Sequence, residues 1–368
     1  MKITAAVARE AHAPFSIETL ELEAPRAGEV LVRIVGTGLC HTDIVVRDQV
    51  LPVPLPVVLG HEGAGVVEAV GEGVTSVAPG DEVVIGFGFC GHCHNCEDHQ
   101  PGYCDEFMPR NFGGARPDGS QALRDADGKP VGSHYFGQSS FATYALATEQ
   151  NVVKVSAGAV PLAYLGPLGC GMMTGAGAVF NALAGQAGSS IIVAGGGPVG
   201  LSGVMAAAAL DFGTVVLVEP VAARRALALE IGATHVIDPA AGNVAEQLRA
   251  IVPGGVDRAL DTTGNPGVIE GLINCLASRG KLAYVGVPKS LDATITVSLV
   301  HLMTLGISVK GITEGDADPA KLIPEMIALN AAGKFPFEKM ITTYPLAKIN
   351  QAIDDQHDGK CVKAVLIA

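Results

Sequence analysis

Residues 189–220 read "SSIIVAGGGPVGLSGVMAAAALDFGTVVLVEP". The stretch holds a β-branched apolar run, a glycine turn, an alanine-rich segment of helical length and a second apolar run. A continuously apolar strand followed by a helix and another such strand is the pattern of a parallel sheet buried on both faces. The turn itself, Gly195-Gly196-Gly197-Pro198-Val199-Gly200, fits G-x-G-x-x-G, and Glu219 closes the second strand about 20 residues on. In that frame Gly195 makes the tight turn, Gly197 lets backbone approach a pyrophosphate, and Gly200 lets the helix pack closely. The helix N-terminus, opening at Pro198, then faces the phosphates. Glu219 is placed to accept hydrogen bonds from the adenosine ribose and to repel a 2′-phosphate, which favours NAD. Arg224 and Arg225 stand close enough to receive such a phosphate, so NADP stays open.

Outward from this stretch the texture differs on the two sides. From about residue 170 short strands such as "ATHVIDP", "VDRALDTTG" and "GKLAYVGVP" alternate with helical segments such as "VAARRALALEIG". Before about residue 150 the apolar runs are short, β-branched and broken by Gly or Pro, which predicts a β-rich domain. The tail carries a helix, "PAKLIPEMIALNAAG", and one more strand, "CVKAVLIA". The fold class is therefore α/β, a β-rich domain joined to a doubly wound parallel-sheet domain.

The 368 residues allow two domains, and 47 glycines suit an α/β chain with many tight turns better than a helical bundle. A net charge of −13 opposes nucleic acid or an anionic membrane surface as partner. No apolar run approaches the roughly 20 residues of a membrane span, and the N-terminus lacks a signal-peptide core, so the chain is expected to be soluble and cytoplasmic.

Eight cysteines in such a chain point to metal or catalysis rather than to disulfides. Cys90, Cys93, Cys96 and Cys104 fall within "CGHCHNCEDHQPGYC" and can close a tetrahedral thiolate shell, a structural zinc site with no open position. His92, His94 and His99 are alternatives for one thiol. A second group is spread out: Cys40, with Thr42 and Asp43 in "GLCHTD", His61-Glu62 in "GHEG", and Cys170 in "LGPLGCGMM". Two thiols and an imidazole form the donor set of an open catalytic zinc site, although spacing alone does not join them. A thiol nucleophile is the rival reading.

The string "GHEGAGVVEAVGEGV", the four-cysteine lobe and the "GGGPVG" turn, in that order, resemble the zinc-dependent medium-chain alcohol dehydrogenases over essentially the whole chain. "CHTD", "VRDQ", "PVPLP", "PRNFGGA" and "QSSFATYA" are most similar to the aryl-alcohol (benzyl alcohol) dehydrogenases. The resemblance implies a GroES-like catalytic domain at 1–171, a Rossmann domain at 172–311 and a return to the catalytic domain at 312–368. It implies two zinc ions per chain, one on Cys40, His61 and Cys170 with Glu62 and Asp43 beside it. Thr42 matches the hydroxyl that takes the substrate proton. His41 and Lys363 match pyrophosphate contacts, Thr174 and Val199 nicotinamide-side positions, Val285 a further cofactor contact, and Leu51, Tyr135 and Phe136 the substrate pocket. Val45 stands where the family's proton relay ends in His, and Met108 where a glutathione-linked formaldehyde dehydrogenase would need a cation.

The expectation is an NAD-dependent oxidation of primary benzylic or allylic alcohols to aldehydes by a homodimer or homotetramer. Terpenoid or aliphatic alcohols are the nearer alternative. A binding module built on the zinc lobe, without catalysis, is the more distant one.

Overall fold

The structure, a computed structural model, describes residues 1–290 and 292–368. The chain divides into two compact units: Met1–Cys170 with Asp318–Glu325 and Glu338–Ala368, and Gly171–Ala317 with Met326–Phe337. The second unit thus continues past its last strand to Ala317 and takes in residues 326–337. Among the described residues no single helix is long and apolar enough to cross a membrane.

In the first unit β1 (Glu29–Gly38) is the hub of a seven-stranded sheet. It pairs antiparallel with β2 (Gly63–Val70), with β4 (Tyr144–Thr148) and with the C-terminal strand Lys363–Ile367; β3 (Glu82–Ile85) and β5 (Val152–Lys154) extend the sheet beyond β2. Val30, Val32, Ile34, Val67, Val83, Ile85, Ala145 and Ala147 form its core. The register matters for function. Thr37 pairs with Gly63, and Gly38 N–H donates to the Glu62 carbonyl at 2.9 Å, so the residues leaving β1 and those entering β2 are neighbours. Helix α1 (His41–Arg47) starts where β1 ends, and α2 (Phe107–Phe112) follows the four-cysteine segment.

The second unit holds a six-stranded parallel sheet of β6 (Ser190–Ala194), β7 (Thr214–Val218), β8 (His235–Ile237), β9 (Val256–Asp261), β10 (Leu276–Tyr284) and β11 (Ser308–Gly311). Its order is β8-β7-β6-β9-β10-β11, the doubly wound arrangement whose strand order reverses beside the first strand. All of Ile191–Ala194 is buried, as a central parallel strand requires. Helix α3 (Gly171–Gly177) opens the unit, and α4 (Pro198–Ala209) follows the glycine turn, with every residue from Gly200 to Ala207 buried.

Away from the metal-ligand candidates, the first unit buries one ionic cluster. Arg116 donates from Nε and Nη2 to the two oxygens of Glu29 at 2.6 and 3.1 Å, and His134 Nε2 lies 3.4 Å from Glu29 Oε1. All three residues are 5–6% exposed. Burial alone would raise the Glu29 carboxyl; His134 and Arg116 outweigh it and hold the group well below the usual carboxylate range. Glu29→Ala leaves the Arg116 guanidinium buried with only the half-exposed Glu23 as partner and removes the carboxylate facing His134. We expect a loss of about 3 kcal/mol in denaturant unfolding at neutral pH. Because the folded-state pKa is depressed, the contribution is present above the ordinary carboxylate range and fades as acid titrates Glu29, so the gap between variant and parent narrows at low pH. A variant of unchanged midpoint at pH 7 contradicts this.

Candidate metal centre and cofactor turn

Cys40 follows β1 as the residue capping α1, and His61 and Glu62 precede β2, so the β1–β2 register places them together. Cys170 arrives from a turn, Gly166–Gly169, that lies directly on this pair of strands. A Cβ on Gly166 would stand 2.1 Å from the Glu62 carbonyl, so no larger residue could bring the chain as close. The result is a cluster in which the donor atoms of Cys40, His61, Glu62 and Cys170 all lie within 4.8 Å of one another.

One carboxylate orients it. Asp43 is fully buried; its Oδ1 accepts from His61 Nδ1 at 2.8 Å and Gly60 N–H at 3.2 Å, and its Oδ2 accepts from Cys40 N–H at 3.0 Å. With Nδ1 donating to Asp43, His61 presents Nε2 toward the thiols, and that buried nitrogen has no hydrogen-bond partner. The Cys170 side chain, by hydrogen bonding, holds the Cys40 thiol well below its ordinary pKa; burial opposes this, and the charges of His61 and Lys363 assist. Burial would push His61 down, but Asp43 and Cys40 raise it well above the ordinary histidine value. An orphaned imidazole nitrogen between two thiols, one biased to thiolate, fits a soft divalent cation. Thr42 Oγ1 lies 3.6 Å from Cys40 Sγ, within the same turn.

Glu62 is held from the other side. Its Oε2 lies 2.5 Å from Lys363 Nζ, which also donates to the Leu39 carbonyl at 3.0 Å; both residues are at most 2% exposed. The room for this carboxylate comes from Gly38, where a Cβ would stand 1.8 Å from Glu62 Oε2. Burial raises the Glu62 carboxyl, whereas Glu62 keeps the Lys363 ammonium above its usual value against burial. Lys363 was expected at a pyrophosphate, but its nearest partners here are Glu62 and a carbonyl. His41 is exposed at the start of α1.

The four-cysteine lobe closes on itself. The sulfurs of Cys90, Cys93, Cys96 and Cys104 lie within 4.8 Å of one another, with Cys93 and Cys96 at 3.5 Å. Backbone N–H groups of Cys93, Cys90 and Glu106 donate to Cys90 Sγ, Cys104 Sγ and Cys104 Sγ at 3.3, 3.3 and 3.4 Å, the pattern that supports thiolate charge. Hydrogen bonds from the backbone of Asp105 and Cys96 bring the Cys93 thiol down to about 6, while burial pushes Cys96 up to about 12. Of the alternative histidines, His94 and His99 pair with Asp98 and Asp318. His92 is exposed and bonds to the Cys90 carbonyl through Nδ1.

In the second unit the turn after β6 has the geometry the motif implies. Gly195 has φ +99°, and a Cβ there would meet Thr262 Oγ1 at 2.4 Å; a Cβ on Gly200 would meet the Gly195 carbonyl at 1.8 Å. Gly197 faces open space, and Pro198 begins α4. Glu219 is 4% exposed and structural as well as polar: Oε2 accepts from Gly196 N–H at 2.6 Å and Oε1 from Val221 N–H at 2.8 Å. A cavity of about 750 Å³ opens beside it, lined by Gly195, Glu219, Arg224, Asn243, Thr263 and Asn265 among others. Arg225 is committed elsewhere, to the Glu219 and Pro220 carbonyls and to Asp238 at 2.9 Å. Only Arg224 of the two arginines lines the cavity. Thr174 is half-buried in α3, next to Gly175, which packs on the Val199 carbonyl, and Val285 bonds to the Asp261 carbonyl just past β10.

Of the expected pocket residues, Leu51 is half-buried, while Tyr135 and Phe136 pack on His61 itself. Phe136 stacks at 4.5 Å and 28°, and Tyr135 meets the imidazole edge-on at 5.5 Å. Sequence reading missed the residues that frame them. Gln138 bridges strands, with Nε2 donating to the carbonyls of His61, Ile85 and Gly86 and Oε1 accepting from Gly63 N–H. Phe107, Phe112 and the Glu29–Arg116–His134 cluster were also unread; a buried Arg or Gln carries no local pattern that marks it.

Comparison with known proteins places this geometry. Residues 26–157 match the alcohol dehydrogenase GroES-like domain, and 198–331 match the zinc-binding dehydrogenase domain. A geraniol dehydrogenase of Castellaniella defragrans is 49% identical over 99% of this chain and 97% of its own length. An alcohol dehydrogenase zinc-binding domain protein from Burkholderia ambifaria superposes with a TM-score of 0.98 at 51% identity, covering 100% of this chain and 99% of that one. The benzyl alcohol dehydrogenase of Acinetobacter calcoaceticus superposes at 0.96 with 44% identity and full coverage of both chains. With both domains and the whole length matched, the chain belongs to the zinc-dependent medium-chain alcohol dehydrogenase family.

Proposed function

We propose that the protein oxidises primary allylic and benzylic alcohols reversibly to aldehydes, with NAD as hydride acceptor and two zinc ions per chain. The observation that carries the reading is the buried Cys40–His61–Cys170 cluster with Asp43 behind it. When bound, zinc there supplies a Lewis acid for the substrate oxygen and the nicotinamide supplies the hydride acceptor. The chain's own residues do the rest. Asp43 fixes the tautomer and orientation of His61 and, through the Cys40 N–H, the turn that carries Thr42. Thr42 Oγ1, beside Cys40, would relay the hydroxyl proton of the alcohol, accepting it while giving up its own proton toward the cofactor ribose and solvent. Phe136 and Tyr135 cover the imidazole and keep water from that side. Lys363 balances the buried Glu62 carboxylate, limiting the negative charge that two thiolates and two carboxylates would otherwise concentrate.

The preference for NAD rests on Glu219 at the end of β7, whose carboxylate stands at the cavity beside Arg224 while Arg225 is committed to Asp238. A substrate of allylic or benzylic type is supported by the aromatic surroundings of His61 and by the geraniol and benzyl alcohol dehydrogenases among the relatives. Exposed Leu299, Val300 and Met303 on helix Leu299–Leu305 support assembly into a homodimer or homotetramer.

Cys40→Ser should abolish turnover while one zinc per chain, that of the four-cysteine lobe, remains on metal analysis, because a hydroxyl is a poor substitute for a thiolate. Full activity in that variant would remove Cys40 from the ligand set. Glu219→Ala should raise the KM for NAD about tenfold or more, at roughly 1.4 kcal/mol per decade. It should also lower the melting temperature, since two backbone N–H groups lose their acceptor. An NAD/NADP ratio unmoved by the change means that Glu219 serves the turn alone. For substrate, kcat/KM for benzyl, cinnamyl or geraniol-type alcohols should exceed that for ethanol by at least roughly tenfold. About 100 Å² of extra apolar burial is worth about 2.5 kcal/mol before losses from imperfect fit. Ethanol matching them at the same NAD concentration and pH ends the allylic and benzylic assignment, and leaves the family untouched.

A further inference from the structure

A continuous chain of aromatic rings runs through the first unit from the four-cysteine lobe to His61. Phe89, which immediately precedes Cys90, lies 6.0 Å from Phe87, and Phe87 lies 5.7 Å from Phe107. Phe107 meets Phe136 edge-on at 6.4 Å, and Phe112 meets it at 5.1 Å and Tyr135 at 6.1 Å. Phe136 in turn stacks on His61.

Phe107 and Phe112 are the two ends of α2, and α2 is tied to the lobe by backbone. Phe107 N–H donates to the Cys104 carbonyl at 2.8 Å, and Glu106 N–H donates to Cys104 Sγ. Asn111, fully buried, exchanges hydrogen bonds with both backbone groups of Gly88, between Phe87 and Phe89. The position of Cys104 therefore sets the start of α2.

The residue at the far end of this chain needs such support. Phe136 has φ +50°, ψ +36°, a left-handed conformation that costs a bulky residue about 1–3 kcal/mol and persists only where the surroundings impose it. His134 is left-handed too, with φ +60°, and is pinned by Glu29. Between them the ionic cluster fixes the backbone on one side of Phe136, and the α2 rings fix its side chain on the other.

We propose that Phe107 and Phe112 are positioning residues for His61: the four-cysteine lobe, through Cys104 and α2, holds the Phe136 ring against the imidazole and thereby sets the orientation of that ligand and the shape of the pocket beside it. The inference rests on the reading that Cys40, His61 and Cys170 bind one metal and the lobe another. The lobe then acts on the reaction as well as on stability.

Cadmium-113 NMR of the cadmium-substituted protein separates the two questions, because the two donor sets give distinct resonances. Wild type should show two signals, one for four thiolates and one for two thiolates with an imidazole. In Phe107→Leu and Phe112→Leu the second signal should shift or broaden while the first stays in place. In the zinc protein the same variants should release one metal equivalent to a chromophoric chelator at least roughly fivefold faster, the ~1 kcal/mol of one ring contact. KM for benzyl alcohol should rise by a similar factor, with that for ethanol little changed. Phe112→Tyr, which keeps the ring, should behave as wild type. Phe335→Leu removes a buried ring of the second unit, 6.3 Å from Phe337, and should lower stability without moving either signal. If Phe107→Leu does not accumulate in folded form, Phe112→Met keeps the volume, loses the ring and is read the same way. Both cadmium signals unmoved in the ring-deleted variants, with wild-type metal release, overturns the proposal. A wild type with fewer than two signals overturns the two-metal reading beneath it.

Discussion

The carboxylate of Asp43 is the constraint on which the site turns. A fully buried carboxylate is tolerable only if its oxygens are satisfied, and here three donors converge on it: the imidazole of His61, the N–H of Gly60 and the N–H of Cys40. Two of those donors belong to metal-ligand candidates on different segments. One acidic side chain therefore fixes the relative position of a thiol and an imidazole that are 21 residues apart in sequence, and it does so before any metal is considered. The β1–β2 register brings the segments together, and Asp43 decides how they face. Removing it would leave three donors without an acceptor and one imidazole free to adopt the wrong tautomer.

The same unit concentrates its backbone strain next to this site. His134, Phe136 and Ser139 all have positive φ, in a segment that lies across His61. Three left-handed non-glycine residues within one short segment are not chosen by local propensity; they follow from long-range contacts that over-determine the path. Those contacts are visible: Glu29 on His134, the α2 rings on Phe136, and the Val58 carbonyl accepting from Ser139 Oγ at 2.6 Å. A turn built of glycines could take the same path at lower local cost, but it would carry no ring to place over the imidazole. The strain is the consequence of putting an aromatic side chain where the backbone would prefer none.

How much of this was legible in advance depends on the distance over which each feature is encoded. The parallel sheet was readable from 189–220 because buried parallel strands are continuous apolar runs and the turn between them needs glycine for steric reasons that hold locally: φ +99° at Gly195 and a 1.8 Å clearance at Gly200. The four-cysteine lobe was readable because its ligands sit in fifteen residues. Cys40, His61 and Cys170 were recognisable as metal-binding types, yet nothing in their spacing joins them; only strand register and the Gly166–Gly169 turn do, and the sequence supplied that link through family resemblance. Glu29, Arg116, His134 and Gln138 were invisible, since each is a single polar residue whose partner lies far along the chain. Strand patterning marks the end of β11 at Gly311, whereas the residues up to Ala317 still pack with the second compact unit.

On the proposed reading, Glu219 builds a cofactor preference into the fold rather than adding it. Its two oxygens accept the N–H groups of Gly196 and Val221, so the carboxylate closes the glycine turn and the β7 exit at once. Each oxygen still has a lone pair to offer a ribose hydroxyl. Of the two neighbouring cations, Arg225 spends its donors on the Glu219 and Pro220 carbonyls and on Asp238, whereas Arg224 lines the cavity. Converting such a site to NADP by replacing the acid alone removes the repulsion but also the two acceptors that shape the turn, and it leaves Arg225 where it is. On the proposed reading, the residue that discriminates between cofactors also holds the turn together, so selectivity and stability are coupled through one carboxylate. A change of cofactor in this chain therefore needs a polar substitute at 219 that still accepts from Gly196, with Arg224, which already lines the cavity, as the cation to meet a 2′-phosphate.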